Sequence, residues 1–475
     1  MRIYHDKNTS QLVSNDIKLH NYLDEHLAFH SPGYVFSSKF KSGLWDGYYH
    51  LYKKLSGKFA SGLLNEVVRL IKSQTDEPIE IIDNRIRPAA SKPIRKALIP
   101  DASFSALRDY QIQAVLNMIK AEHCIVKAAT NAGKTEMFAD VIRQLNLSTV
   151  ILVNRKELMY QTAERLHRRL GVPVGMIGDG KSDIQKITVA MITSLTSKSN
   201  TANRYSSRLV VKPACVKLLK YDVLVLDECH NITDARIKWF VQTSKAYYRF
   251  AVSGTPLLND ELTNKQLIGQ FGEVAFEITN TELIDQGVSS KPTYLFYDVG
   301  VQLQHISDYR EAYDLGIVMS TYRNTIIKIA VDVMSHLHTL IIVKEIEHGH
   351  QLQHLIPNST FIHGSKTSEV RMQTLKDFKV GKIKVLISST ILDEGADIPN
   401  IEFLVLAAGL KSAKRQLQRI GRGLRKKDSN KIIILDFLDS GNEYLMQHSL
   451  QRVKTVKKEN FDVRLLKDLT HLKDI

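Results

Sequence analysis

From Cys124 onward the chain repeats one pattern: a short run of aliphatic residues, a longer amphipathic segment, then another run. The runs are CIVK at 124–127, TVILV at 149–153, ITVAMI at 187–192, DVLVL at 222–226 and RFAV at 249–252. Runs that are apolar throughout, separated by stretches long enough for a crossover helix, specify parallel strands covered by helices on both faces. After a polar stretch near residues 276–300 the pattern restarts with TLIIV at 339–343, TFI at 360–362, KVLIS at 384–388, EFLVL at 402–406 and KIIIL at 431–435. The sequence therefore predicts an α/β fold with two parallel-sheet lobes in tandem, residues 99–285 and 286–440. A chain of 475 residues is longer than one hydrophobic core usually organises, which agrees with that division.

The flanks read differently. Residues 1–98 carry short mixed segments and several aromatics, and a boundary with Pro88, Pro93 and Pro100 follows, so a small separate α/β domain is expected there. Residues 441–475 read as a helical tail. The polar segment 196–208, with Lys198, Arg204 and Arg208, predicts a long surface loop that is solvated or touches a second nucleic-acid strand. No apolar run approaches the ~18 residues needed to span a bilayer, and the opening MRIYHDKNTS lacks the apolar core of a signal peptide. Cys124, Cys215 and Cys229 are far apart with no CxxC pair, so neither a disulfide framework nor a structural metal is expected. The expected setting is a reducing cytoplasm, without a membrane.

Three segments carry chemistry. Ala128-Ala-Thr-Asn-Ala-Gly-Lys-Thr135 follows a strand and precedes a helical run, the context in which loop N–H groups and a helix N-terminus converge on a triphosphate. Thr130, Asn131, Ala132 and Gly133 would line the phosphates, Lys134 would hold the β/γ-phosphates of ATP, and Thr135 would bind Mg²⁺. Ala128 stands where the usual pattern has its first glycine. Asp227 and Glu228 emerge from the strand DVLVL, about ninety residues after the loop. There Asp227 would face Mg²⁺ and Glu228 would orient or activate the attacking water. Gln418-Arg-Ile-Gly-Arg-Gly-Leu-Arg425 opens a helix in the second lobe, and Arg422 and Arg425 would stabilise transition-state charge on the γ-phosphate, with Gln418 beside them.

In this order the segments resemble the superfamily 2 helicases of the DExH-box kind over about residues 105–440, which implies two RecA-like lobes. The resemblance implies further roles. Arg108-Asp-Tyr-Gln111 is similar to the adenine-side motif, with Arg108 and Gln111 near the base. Val153-Asn-Arg-Lys-Glu-Leu158 resembles a strand-contacting motif that includes Arg155, and Ser253-Gly-Thr-Pro256 resembles the segment coupling hydrolysis to strand movement. His363-Gly364, with Arg371 following, occupies the usual place early in the second lobe. Within Ser388–Pro399, Gly395 and Asp397 would face the nucleotide and Thr390 a backbone phosphate. Two departures stand out: Met191-Ile-Thr193 lacks the family's Thr and Gln at their usual places, and Gly254 replaces a common Ala.

Charge points to the partner. There are 65 Lys+Arg against 50 Asp+Glu, a formal charge of +15 that favours a polyanion. Between Ser31 and Lys72, basic residues including Lys39, Lys41, Lys53 and Lys54 alternate with aromatics including Tyr34, Phe36, Phe40, Trp45 and Tyr49. That mixture suits phosphate contact and base stacking, although Trp45, Tyr49 and Phe59 equally suit a small core. The N-terminal Phe40–Gly47 and Gly57–Leu64 segments extend the resemblance to the UvsW-type helicases of tailed phages. That resemblance implies a monomeric ATP-dependent DNA helicase acting on branched DNA, including RNA-containing R-loops, in the bacterial host cytoplasm. A duplex translocase that separates no strands, an RNA helicase and an inactive motor used as a binding module are the competing readings.

Overall fold

The apolar runs become strands because both of their faces are covered. Thr149–Val153 is buried at all five positions, and Val223–Asp227 at every position but its last. The computed structural model describes residues 1–100, 106–198, 209–257, 260–289, 291–389, 401–409, 431–458, 461–466 and 468–474. They divide into two units, Met1–Ala129 with Gly133–Ile278, and Thr279–Ile475 with Thr130–Ala132.

The first unit holds an eight-stranded sheet. Its order is Lys181–Ser182, Gly175–Gly178, Ile187–Met191, Thr149–Val153, Val223–Asp227, Tyr248–Ser253, His123–Ala128 and Val274–Ile278. Only the Lys181–Ser182 edge pairs antiparallel; the other pairings are parallel. In a parallel sheet all strand C-termini lie at one edge, where the connecting loops build ligand sites. The register is specific: Asp227 lies opposite Val252, and Ser253 opposite Lys127.

The same unit contains the N-terminal sheet, ordered Tyr52–Lys53, Lys58–Ala60, Thr9–Val13, Arg2–His5 and Glu80–Asp83. Ile3, Leu12, Leu23, Tyr52, Phe59, Val67 and Ile71 give it a core of its own. It is nonetheless clamped to the first lobe, which modifies the expectation of a separate domain at residues 1–98. At Gly62 an added Cβ would lie 2.1 Å from the carbonyl oxygen of Ile268, so only glycine permits that approach of chain to helix Glu261–Phe271. Lys265 pairs with Glu66, and Arg69 pairs with Glu273 at 2.7 Å. Arg249 is fully buried in the lobe's own strand and hydrogen-bonds Asn8, while the Asn8 amide donates to the carbonyl of Gln242 at 2.8 Å. The proline-containing connection is strapped down as well: Ile94 N–H donates to Arg143 O and Ile99 N–H to Arg169 O, at 3.0 and 2.9 Å.

The second unit holds a seven-stranded sheet, parallel throughout. Its order is Ser359–Ile362, Val385–Ser388, Thr339–Ile342, Phe403–Leu406, Lys431–Leu438, Lys291–Asp298 and Asp462–Leu466. Two sequence expectations are corrected here. The supposed polar divider at 276–300 contains most of Val274–Ile278 and all of Lys291–Asp298, an interior strand whose KPTYLFYD mixes aromatics with polar ends and so lacks an apolar run. The tail is not purely helical. After helix Glu443–Lys458 the chain adds Asp462–Leu466 as an edge strand, which is charged because one of its sides is solvated.

Two histidines, one in each unit, are held neutral by desolvation. Burial, with nearby arginines, holds His123 and His348 down at about 3 from an ordinary 6.5; their ring nitrogens meet Tyr247 O at 2.7 Å and the Asn324 Oδ1 at 2.9 Å. Above pH 6.5 these groups are neutral folded and unfolded alike. As pH falls from 6.5 toward 3, only the unfolded chain takes up the proton, so stability drops, by about 2 kcal/mol per histidine at pH 5. His348→Gln keeps the hydrogen bond and removes the titration. Urea unfolding at pH 7.5 and 5.0 is expected to show a smaller acid loss in this variant for the transition that includes the second lobe; equal losses would contradict the assignment.

Candidate functional site

Three neighbouring strands of the first lobe deliver the chemistry-bearing segments to one sheet edge. His123–Ala128 leads into the candidate phosphate loop, Val223–Asp227 ends on the acidic pair, and Tyr248–Ser253 lies between them and ends on the Ser253-Gly-Thr-Pro256 segment. The loop takes the backbone form such a segment needs. Asn131 and Gly133 sit at φ +73° and +79°, left-handed values that glycine adopts freely and asparagine tolerates. Gly133 is the N-cap of helix Lys134–Leu145, so Lys134 and Thr135 stand in its first turn. That helix is anchored from behind, where buried Glu136 pairs with Arg169 at 2.7 Å and with Arg165 at 3.1 Å.

The adenine-side residues touch the loop directly. Gln111 is fully buried in helix Asp109–Ala121; its Oε1 accepts the Arg108 backbone N–H at 2.9 Å in a capping box. A Cβ on Gly133 would lie 2.4 Å from Gln111 Nε2, so the Gln111 amide is already seated against the loop. The Arg108 guanidinium donates to the Tyr110 hydroxyl at 3.3 Å.

The acidic pair is electrostatically tense. Burial and the adjacent Glu228 carboxylate push Asp227 up to about 6, against the pull of Lys134 and His230. Glu228 is held at φ +51°, an uncommon conformation for a residue with a side chain, and Asn231 Nδ2 donates to its carbonyl at 3.1 Å. Two carboxylates within electrostatic reach of Lys134 could hold a divalent cation, which would relieve that repulsion.

The sequence missed how this pair connects to its neighbour strand. His230 Nδ1 lies 3.3 Å from Glu228 Oε2 and 3.1 Å from Ser253 Oγ. The Ser253 hydroxyl also donates toward Glu228 at 3.4 Å and accepts the Thr255 N–H at 3.1 Å. His230, in the turn after Val223–Asp227, and Ser253, at the end of Tyr248–Ser253, are distant in sequence, and the pairing of those two strands brings them together; their contact had no local signal.

A cavity of about 410 Å³ opens beside this cluster, lined among others by Asn154, Thr193, Asn231, Asp234 and Arg236. It adjoins Arg155, the N-cap of helix Lys156–Leu170, and includes the Thr193 of the atypical Met191-Ile-Thr193 segment. Arg236 is fixed in place by Asp234 through bonds of 3.0 and 2.5 Å. In the second unit His363 is nearly buried and bonded to Ser365 Oγ at 2.7 Å, and Arg371 donates to Gly364 O and Lys366 O. Thr390, Gly395, Asp397, Gln418, Arg422 and Arg425 lie outside the described residues, as do 199–208 of the expected surface loop.

In the N-terminal region, Lys39 and Lys41 of helix Ser38–Lys41, Lys53 of strand Tyr52–Lys53 and the following Lys54 are exposed, and Lys54 lies 3.6 Å from Asp24. The aromatics divide. Phe59 and Tyr52 are core, Phe36 and Tyr49 are exposed, and Trp45 is half-buried with its indole N–H donated to Tyr48 O at 2.8 Å.

Known families match both halves of the motor region in order. Residues 104–258 match the family described as type III restriction enzyme, res subunit, and residues 322–427 match the helicase conserved C-terminal domain. The chain is 24% identical to the ATP-dependent DNA helicase uvsW of Enterobacteria phage T4, with 97% of each chain covered. It is 24% identical to the DNA 3'-5' translocase XPB2 of Sulfurisphaera tokodaii, across 69% of this chain and 80% of that protein. In fold it is similar to the solved ATP-dependent type ISP restriction-modification enzyme LlaBIII bound to DNA, with a TM-score of 0.56 at 15% identity, over 84% of this chain and 34% of that one. A candidate phosphate loop, the Asp227–Glu228 pair and a Ser-Gly-Thr segment on adjacent parallel strands, followed by a matched helicase C-terminal domain, lead to one conclusion: the chain belongs to the superfamily 2 helicases and is an ATP-dependent helicase.

Proposed function

We propose that this helicase is a DNA motor that remodels branched DNA, coupling ATP hydrolysis to junction migration, fork regression and R-loop unwinding in recombination, repair and replication restart. The observation that carries this reading is the extent of the similarity to the phage helicase: it spans 97% of both chains and so includes the N-terminal region with its exposed Lys39, Lys41, Lys53 and Lys54. The working form is a monomer in the host cytoplasm.

In this proposal Thr130–Gly133, Lys134 and Thr135 cradle the triphosphate, with Arg108 and Gln111 on the base side. Thr135 and Asp227 would hold Mg²⁺, which would supply positive charge against that of the phosphates. Glu228 orients the attacking water. Gln418, Arg422, Arg425, Gly395 and Asp397 complete the nucleotide site from the second lobe, while Arg155 and Thr390 grip backbone phosphates. The Glu228–His230–Ser253 cluster ties the water-orienting carboxylate to the segment after Ser253, so a change at one end is felt at the other.

A duplex translocase that separates no strands is the second reading, favoured by the match of residues 104–258 to a restriction-enzyme family. Strand release separates the two. The parent protein with ATP is expected to release a strand from forked, four-way and R-loop substrates in a gel assay; hydrolysis on duplex with no release from any of them would establish the translocase instead. ATPase stimulation by RNA above that by forked or four-way DNA would favour an RNA helicase.

Two variants test the site. Lys134→Ala is expected to lower ATP turnover roughly 100-fold or more while leaving DNA binding in place; an unchanged rate refutes the assignment. Ser253→Ala removes the hydroxyl shared by Glu228, His230 and Thr255, and is expected to keep hydrolysis within about tenfold of the parent while strands released per ATP fall further. Equal losses in both quantities would show that Ser253 serves hydrolysis alone.

A further inference from the structure

A cleft of about 620 Å³ opens between the N-terminal sheet and the first lobe, inside one compact unit. Tyr49, Lys53 and Lys58 face it from the N-terminal side, and Lys238, Gln266 and Gln270 from the lobe. No carboxylate lines it, in a chain with 50 Asp+Glu against 65 Lys+Arg. Three lysines with no acid among the described lining residues mark a surface suited to an anion.

The lysines are available. Lys53 donates to His50 O at 2.9 Å and stands 5.4 Å from the Tyr49 ring centroid; Lys238 donates to Gln266 Oε1 at 2.7 Å. Each ammonium carries three donors, so both retain spare ones, and no salt bridge to Lys53, Lys58 or Lys238 is present among the described residues. Lysines on both walls, Lys53 and Lys58 facing Lys238, suit the successive phosphates of a nucleic-acid backbone.

Helix Ala235–Thr243, which follows the DECH segment, divides this cleft from the cavity at Asn154 and Thr193. Lys238 and Gln242, four residues apart, face the cleft, while Arg236 and Ile237 face the other cavity. The two openings therefore present separate surfaces on one helix.

We propose that this cleft binds the sugar-phosphate backbone of a second nucleic-acid segment, the duplex arm of a branched substrate, on a surface separate from the cavity at Asn154 and Thr193. The identity of that substrate rests on the function proposed above; the existence of the site does not.

The test is the salt dependence of binding to the full chain without ATP. The substrates are a forked DNA with a duplex arm and a ten-nucleotide single strand. Lys58→Gln combined with Lys238→Gln is expected to lower the slope of log affinity against log salt by about two for the fork, and to weaken fork binding roughly 10- to 100-fold at about 0.1 M salt. The single-strand slope should not move. An unchanged fork slope in a variant with the parent's melting temperature overturns the proposal, as does an equal fall for both substrates, which would place these lysines on the motor's own strand. Competition by ADP or inorganic phosphate that erases the slope difference would reassign the cleft to a small anion. If the double variant does not fold, Lys58→Gln alone should lower the fork slope by about one, and no change there is equally fatal. Because ATP is absent, the slope reads the cleft whether or not the parent separates strands, so the failure of the proposed function would show only in the strand-release assay.

Discussion

The site depends on the parallel pairing of three strands. Asp227 lies opposite Val252 and Ser253 opposite Lys127, so Glu228, one residue beyond its strand, arrives level with Ser253. Backbone ladders fixed by buried aliphatic side chains thus set the distances among polar groups that share no sequence neighbourhood. A one-residue slip of Tyr248–Ser253 would turn Ser253 to the other face of the sheet and break its contacts with Glu228 and His230. Precision in the polar cluster is inherited from an apolar core in which Val225, Phe250 and Val126 are fully buried.

That same precision creates stress. Two adjacent carboxylates leave the strand where water is scarce, and Asp227 responds with a strongly raised proton affinity while Glu228 accepts a left-handed backbone. Neither feature helps the fold by itself. Both become favourable if positive charge arrives, because a cation removes the repulsion and keeps Asp227 ionised. Stress of this kind at a strand end is better explained by ligand binding than by stability.

What could be read from the sequence follows from how local each signal is. Every continuous apolar run quoted above, such as TVILV and TLIIV, became a strand, and the candidate phosphate loop and the acidic pair could be singled out because their residues are contiguous. Lys291–Asp298 was hidden because polar ends interrupt its aromatics, and Asp462–Leu466 because a solvated edge tolerates Asp462 and Arg464. The docking of the N-terminal sheet had no local trace at all. Asn8 and Arg249 are far apart in the chain, and Gly62 looks like any loop glycine until Ile268 is placed against it. Basic and aromatic composition located a surface but could not sort stacking residues from core: Phe59 proved internal, Tyr49 external, and Trp45 intermediate.

The buried Arg249 gives that docking its mechanical meaning. Its guanidinium satisfies the carbonyls of Val241, Ala246 and Ser244 in the lobe, and one nitrogen also reaches Asn8 in the N-terminal sheet. Burial lowers its proton affinity to about 10, still far above neutral pH, so it stays charged and every unsatisfied donor would be costly. Asn8 is therefore part of what keeps a charge tolerable inside the lobe, and separating the two bodies would expose an incompletely paired cation. Arg249 belongs to the strand that ends at Ser253, four residues on. The N-terminal sheet is consequently fixed in the frame of the strand that contacts Glu228, and a nucleic acid held on its lysines would be carried by the same rigid element that senses the state of the acidic pair.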